Sequence, residues 1–405
     1  MKAIAKKILQ RLGIELRRVR SAAPVRFVEL PATRDPARGA VLLAFVVEPF
    51  LLDPGGELPS GHTHFVEARL LAGLLRDLGY AVDVVDYRDT SFVPRKSYDI
   101  LVSSRVCLER YAKLLGPNCM KILHVTVSHW LCNNVAAIGR CLDVQRRRGV
   151  SLASYKLIEV NWAIEHADFA IYRTGNDWVT ASYAYAGKPF ARVPLCTHTV
   201  YPPPEGKDFD AVRRTFLWLG SHGFVHKGLD LVLEAFAAMP DFTLIVCGPI
   251  HDEPAFERAF DRELYHTPNI ETVGWVDIGG DRFREIAARC VGLVYPSCAE
   301  GASGNVLTFM QAGLIPVISY PSCVDMSTGN GVQIEALNVA SVQQAVRILA
   351  AMPAGELSAL AMRAWTFARD HHTHERFSEE YRKAVETALA YHVPAKSIGS
   401  RSPDT

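Results

Sequence analysis

The sequence predicts an α/β protein made of two doubly wound, Rossmann-like domains that face each other across a cleft. Short apolar runs alternate with amphipathic segments along two stretches, 38–200 and 215–370, which is the βαβ pattern repeated. Between them Pro202, Pro203 and Pro204 fix three φ angles and remove three amide donors, so 201–214 reads as a stiff linker. A chain of 405 residues, 49% hydrophobic and 21% charged, has the size and composition of two globular domains.

Taken in order, residues 1–37 form a basic N-terminal segment. Lys2, Lys6, Lys7, Arg11, Arg17, Arg18 and Arg20 stand against Glu15 alone within 1–20, while Ile4, Ile8, Leu12 and Leu16 recur every four residues. This pattern predicts an amphipathic helix lying in an anionic membrane surface, with a flexible tail or a helix docked on the domain as the alternatives. From Ala40 the runs VLLAFVVEPFLL, FVEARLLAGLLRDLGY and AVDVVDY read strand, helix, strand. Leu70, Leu71, Leu74, Leu75 and Leu78 make one helical face that needs a sheet to cover, and Gly79 supplies the stop. YDILVSS, ERYAKLL, KILHVTVS, a helix near Leu152–His166, DFAIYRT and ARVPLC complete the first unit. The second runs from TFLWLGS through LDLVLEAFAAM, FTLIVCG, PAFERAFDREL, NIETVGWV, DRFREIAARC, VGLVYPS and NVLTFMQAG to IPVISYP. Its unbroken apolar runs suit strands buried on both faces. The chain is then helical from Ser341 to about His392, and 393–405 reads as a disordered tail.

The net charge of +1 gives no reason to expect a nucleic-acid partner. Nine cysteines, an odd number with no C-x-x-C pair, suit a reduced cytoplasm. Residues 301–324 carry no charge, yet Ser303, Gly304, Asn305, Gln311, Gly313, Pro316 and Pro321 interrupt them too often for a membrane span. The N-terminus lacks the continuous apolar core of an export signal. The expected location is therefore cytoplasmic, peripheral on the inner face of the membrane. His371, His372 and His374 read as a solvated helix junction rather than a metal tract.

The chemistry concentrates in Val291–Ser322. A strand runs into Glu300 and Gly301, followed by a helix that starts near Ser303 or Gly304 and ends at Gly313. Free amides and the positive dipole end at Gly301–Asn305 suit a phosphate, and Glu300 suits sugar hydroxyls. Glycine at a strand-to-helix turn with an exposed Glu nearby is also common in any α/β fold. The segment resembles the C-terminal domain of retaining glycosyltransferases of the GT-B fold, family 4 type, the glycosyl transferases group 1. Pro296, Ser297, Glu300, Gly301, Ala312, Gly313, Pro316 and Val317 match that family's P-S-x-x-E-G run and the small residue, glycine and P-V that follow. The likeness covers nearly all of Thr215–Met352 and extends more faintly over the N-terminal domain.

The resemblance implies that 215–370 binds a nucleotide-sugar donor and that 38–200 receives the acceptor, a glycan or lipid-linked glycan. Lys227 and Gly228 fall where the family neutralises the donor diphosphate, and His222, with Ser221 beside it, stands where the family has arginine. The family's second, ribose-binding glutamate falls on Thr308, which cannot make a carboxylate's two charge-assisted bonds to a diol. Trp275 occupies the nucleobase position. In the N-terminal domain Gly55, Gly56, Gly61 and His62 resemble the family's glycine-rich cleft loop, and His129 stands where relatives contact the transferred sugar. His124 reads as a core histidine and Asn176 as a turn or helix cap. In relatives the last helix crosses back to the N-terminal domain, the role expected for 371–392. Transfer with retention would then rest on Lys227, His222 and the Gly301–Asn305 amides stabilising the leaving diphosphate, with Glu300 orienting the sugar. No metal or other cofactor is expected, since no D-x-D stands beside a donor-phosphate loop. The second reading, motivated by Thr308 and His222, is a catalytically silent GT-B protein that binds a glycan or nucleotide sugar as scaffold or sensor.

Overall fold

The computed structural model describes residues 26–52, 63–197 and 199–391. The readings for residues 1–20, for Gly55, Gly56, Gly61 and His62, and for the tail from 393 lie outside the described residues.

Seven strands form the first sheet: β1 (Phe27–Leu30), β2 (Gly39–Phe45), β3 (Tyr80–Asp86), β4 (Ile100–Ser103), β5 (Met120–Val125), β6 (Phe169–Arg173) and β7 (Phe190–Val193). They lie in the order β1-β3-β2-β4-β5-β6-β7, parallel except for β1. Six parallel strands form the second: β8 (Thr215–Leu219), β9 (Thr243–Cys247), β10 (Ile270–Gly274), β11 (Gly292–Tyr295), β12 (Ile315–Ser319) and β13 (Val332–Ile334). Their order is β10-β9-β8-β11-β12-β13. In each sheet the chain winds outward on one side, returns to the middle and winds outward on the other. The switch falls between β2 and β4 in the first sheet and between β8 and β11 in the second, and the loops leaving the carboxyl ends of such strands border the ligand crevice.

The central strands are buried on both faces, with Val41, Leu42, Phe216, Leu217 and Trp218 at 0% exposure, because helices cover each sheet on both sides. The helix Leu229–Ala237 is apolar nearly all round, since it is wedged between β10, β11 and the helix Val339–Ala351. The helix His374–Tyr391 packs Phe377, Tyr381, Val385 and Ala388 into the core of the first sheet. No single helix among the described residues is long and apolar enough to cross a membrane. The uncharged stretch 301–324 divides into the helix Gly304–Gln311 and β12, both buried. All nine cysteines are free.

The structure departs from the sequence reading at four places. Residues 27–30 do not belong to a segment outside the domain. They add an antiparallel edge strand in which Phe27 faces Val85 and covers the end of the sheet. Of the helix expected near Leu152–His166 only Ala163–His166 is helical; a strap without regular structure runs over 150–162, and the long helix lies earlier, at Trp130–Arg148. His129 caps it, Gly149 closes it in the left-handed region at φ 69°, and Arg146, Arg147 and Arg148 suit its negative end. Its pattern is inverted: Leu131, Val135, Ile138 and Leu142 are exposed, whereas Asn133 and Arg140 are buried. PAFERAFDREL forms two short helices, Pro254–Ala259 and Asp261–Tyr265, which break at Phe260 as its ring packs on Phe256 in the core. Finally, His372 is not solvated. It is buried with Nδ1 2.7 Å from the Leu195 carbonyl, while Thr197 donates to its own carbonyl, tying the end of the helix Ala354–His371 to the N-terminal domain.

The two domains meet along a polar seam. Arg140 and Arg147 of the helix Trp130–Arg148 each donate to the fully buried Asp230 Oδ2 at 2.6 Å. Arg148 forks onto Glu263 at 2.8 and 2.9 Å. Gly175 N donates to the Cys323 carbonyl at 3.0 Å, and Asn176 Nδ2 to the Tyr320 carbonyl at 2.9 Å.

Candidate active site in the interdomain cleft

Two loops leave the carboxyl ends of β8 and β11, on either side of the switch point. The first, Gly220–Gly228, turns through two glycines in the left-handed region, Gly223 at φ 88° and Gly228 at φ 74°. A side chain at Gly228 would meet the Pro296 carbonyl at 2.3 Å, so glycine here lets the two loops touch. A further bond holds them together, Cys298 N donating to the His226 carbonyl at 2.9 Å, while Trp218 Nε1 on β8 donates to the Lys227 carbonyl at 3.3 Å and anchors the first loop to its strand. Glu253 receives the Gly223 amide and fixes the tip of the first loop.

The second loop presents Glu300 ahead of the helix Gly304–Gln311, whose N-cap is Ser303 with its hydroxyl accepting from Val306 N. Glu300 Oε1 accepts from Ser297 Oγ at 3.0 Å and Tyr295 Oη at 3.2 Å. Burial pushes this carboxyl up, but Lys227, His226, Lys156 and the Ser297 bond together outweigh it, so it stays ionised below the usual carboxylate range. Lys227 is buried at 7% exposure, its Nζ 5.9 Å from the Tyr295 ring centroid, and makes no hydrogen bond or ion pair among the described residues. Burial lowers its pKa more than Glu300 raises it. A buried ammonium beside free helix amides, with no partner of its own, is a receptor for an anion.

Lys227, Glu300, Gly301, Ser303 and Asn305 thus gather around Tyr295, with Asn305 Nδ2 3.3 Å from the Leu219 carbonyl. Gly301 closes the site against the other domain: a Cβ there would lie 1.8 Å from the Thr126 carbonyl oxygen. Thr308 is buried on the same helix. Ser221 precedes His222, which is half exposed and turns toward Asp252 at 3.7 Å. Trp275, 61% exposed, lies just past the end of β10. His129 serves its own domain: Nδ1 caps Leu131 N at 3.3 Å and the ring sits among Trp130, Tyr183 and Tyr185, with Nε2 3.2 Å from Tyr185 Oη. Asn176 Oδ1 accepts from Trp178 N at 3.1 Å, a cap, while its amide bridges the domains. His124 is buried against Tyr381, 3.2 Å away.

Several residues were not singled out from sequence. Tyr295, a polar residue closing the apolar run of β11, is one: together with Ser297 of the matched P-S-x-x-E-G run it orients Glu300. Behind Thr126 a buried pair, Arg173 Nη1 to Glu67 Oε2 at 2.7 Å, supports the loop that meets Gly301, and Arg173 Nη2 reaches the Thr126 carbonyl at 3.4 Å. Burial raises the Glu67 pKa, but Arg173 and His64 bring it down to about 2. Lys156, from the strap over 150–162, lies across Gly223. No motif in the sequence marks it. Among the described residues no group of three or more His, Cys, Asp or Glu side chains is arranged to hold a metal ion.

Residues 213–351 match the family model described as Glycosyl transferases group 1. A search of curated proteins returned no match. Among solved structures, α,α-trehalose 6-phosphate synthase from Burkholderia multivorans superposes with a TM-score of 0.59 at 10% identity, covering 87% of this chain and 99% of that one. Sucrose-phosphate synthase from Thermosynechococcus elongatus gives 0.57 at 13% identity, covering 88% and 100%. HepE from Anabaena gives 0.54 at 11%, covering 86% and 99%. The chain spans 54% to 57% of the longer TarM and GtfA structures it also matches. At these identities the likeness establishes the architecture: the fold is GT-B, and its second domain is similar to the group 1 glycosyl transferases.

Proposed function

We propose that the protein is a glycosyltransferase that moves a sugar from a nucleotide-sugar donor to a glycan or lipid-linked acceptor, with retention at the transferred carbon. The observation that carries this reading is the unpartnered, buried Lys227 beside the ionised Glu300 at the amino end of the helix Gly304–Gln311. The likeness of 213–351 to group 1 glycosyl transferases supports it, as does the shared fold of Anabaena HepE, solved with UDP and glucose. Lys227 and the amides of Gly301, Gly304 and Asn305 take the negative charge that develops on the departing diphosphate, the Ser303 amide being held by the Ser322 carbonyl at 3.1 Å. Glu300, fixed by Ser297 and Tyr295, accepts hydrogen bonds from the sugar hydroxyls and sets the face it presents. The acceptor approaches from the N-terminal domain. Neither a metal nor another cofactor is needed, because the lysine and the helix amides supply the positive field. The basic residues 1–20 hold the protein on the cytoplasmic face of an anionic membrane, suited to surface polysaccharide or glycolipid assembly.

The test is turnover of a panel of UDP-, GDP- and ADP-sugars, read as release of nucleoside diphosphate. One donor class should be consumed, and Glu300→Gln and Lys227→Ala should each slow its use roughly 100-fold or more, the scale of losing a transition-state charge contact. Near wild-type rates in both variants would refute the assignment. Tight binding without turnover would favour a silent scaffold, the reading that Thr308 and the averted His222 motivate.

A further inference from the structure

Gly223 is crossed by a side chain from the other domain. A Cβ built there would lie 2.6 Å from Lys156 Cγ, 3.4 Å from Cδ and 3.1 Å from Cε, so the whole stem of Lys156 runs along the tip of the Gly220–Gly228 loop. The backbone behind it is fixed. Asn133 Nδ2 donates to the Lys156 carbonyl at 2.8 Å, and Asn134 grips Ile158 through both its amide and its carbonyl, each at 2.8 Å. These two asparagines stand on the helix Trp130–Arg148, where the burial of Asn133 accounts for part of its inverted pattern.

The Lys156 ammonium, like that of Lys227, makes no hydrogen bond or ion pair among the described residues. Its charge bears on Lys227, Glu300, Glu253 and His226. The carboxylates are already committed: Glu300 to Ser297 and Tyr295, and Glu253 to the Gly223 amide. The Lys227 and Lys156 ammonium groups thus meet at one loop from opposite domains, their charges offset by Glu300 and Glu253 but their N–H donors unmatched, so an anion reaching both would accept hydrogen bonds that the carboxylates do not take. On the same loop His222 leans out toward Asp252.

We propose that Lys156 is the second cation of the donor-diphosphate site, supplied by the N-terminal domain in place of the guanidinium that position 222 lacks. The diphosphate then ties the domains together, held by Lys227 and the helix amides on one side and by Lys156 on the other. Donor binding and closure of the cleft become one event. This inference rests on the donor-site reading given above.

The experiment is calorimetric titration of the full chain with UDP, GDP, ADP and inorganic pyrophosphate, using wild type, Lys156→Ala, Lys156→Arg and Lys227→Ala. Lys156→Ala should weaken the best-binding diphosphate about 10- to 100-fold, the range of one charge-assisted hydrogen bond. Lys156→Arg should restore most of it, and affinity for the corresponding nucleoside should not change. If Lys227→Ala weakens the diphosphate and Lys156→Ala does not, the role of Lys156 is overturned while the donor site stands. Equal weakening of diphosphate and nucleoside by Lys156→Ala would also overturn it, since the strap would then act only as support. If neither lysine variant changes binding, or no diphosphate binds, the donor-site reading itself falls.

Discussion

At Gly301 the missing side chain is what lets the two domains meet. Any Cβ would collide with the Thr126 carbonyl, a backbone atom that cannot swing aside, and that carbonyl is buttressed by the Arg173–Glu67 pair. Gly301→Ala should therefore hold the cleft open and slow transfer roughly 100-fold, the cost of about 1 Å of misplacement at a reacting centre. Gly139→Ala, where a Cβ meets nothing within 4 Å, is the control and should leave turnover unchanged. Equal activity in the two variants would mean that the contact at Gly301 plays no part in catalysis. Glu300 and Gly301 were legible in the sequence because a loop between a buried strand and a helix N-terminus is a local arrangement. Lys156 was not, because its position depends on two asparagines more than twenty residues away in the chain.

The helix Trp130–Arg148 joins the domains through charge. Asp230, fully buried, receives two guanidinium groups, one of them from the nearly buried Arg140. Removing the carboxylate leaves Arg140 without its buried partner, a loss of about 3–5 kcal/mol. Asp230→Ala should lower the denaturant midpoint accordingly, whereas Asp143→Ala, which touches Arg140 from a half-exposed position, should change it little. A midpoint unchanged by Asp230→Ala would show that the seam does not contribute to stability. This element also marks the limit of sequence reading. The usual rule assigns the apolar face of a helix to the core, and here Leu131, Val135, Ile138 and Leu142 point outward while Asn133 and Arg140 point in. The strands suffered no such inversion, because both faces of a central parallel strand are buried and the apolar run is unmistakable.

At the scale of the whole molecule, two buried histidines make the closed form sensitive to acid. Burial depresses His124, packed near Glu67, Arg173 and His64, from 6.5 to about 4. Burial likewise depresses His372, near His371 and Asp325, from 6.5 to about 4. Both are neutral in the folded chain and take up protons more readily when unfolded. Their contribution is thus intact above pH 6.5 and is lost as the pH falls toward 4. The melting temperature should drop across that window, and His124→Gln combined with His372→Gln should flatten the slope. A profile as steep in the double variant would assign the acid sensitivity to other groups. The two-domain architecture followed from chain-wide alternation and the proline linker. The seam between the domains did not, because it is made of pairs such as Arg140 with Asp230 and Leu195 with His372, whose meeting no local pattern announces.

The central claim is that the loops after β8 and β11 form a nucleotide-sugar donor site around Lys227. Calorimetric titration with UDP, GDP, ADP and CMP, carried out on wild type and on Lys227→Ala, tests it most directly. The account predicts selective binding of one nucleotide, weakened at least 10-fold in the variant, the scale of one charge-assisted contact. Equal affinity in both proteins, or no binding at millimolar concentration, would contradict it.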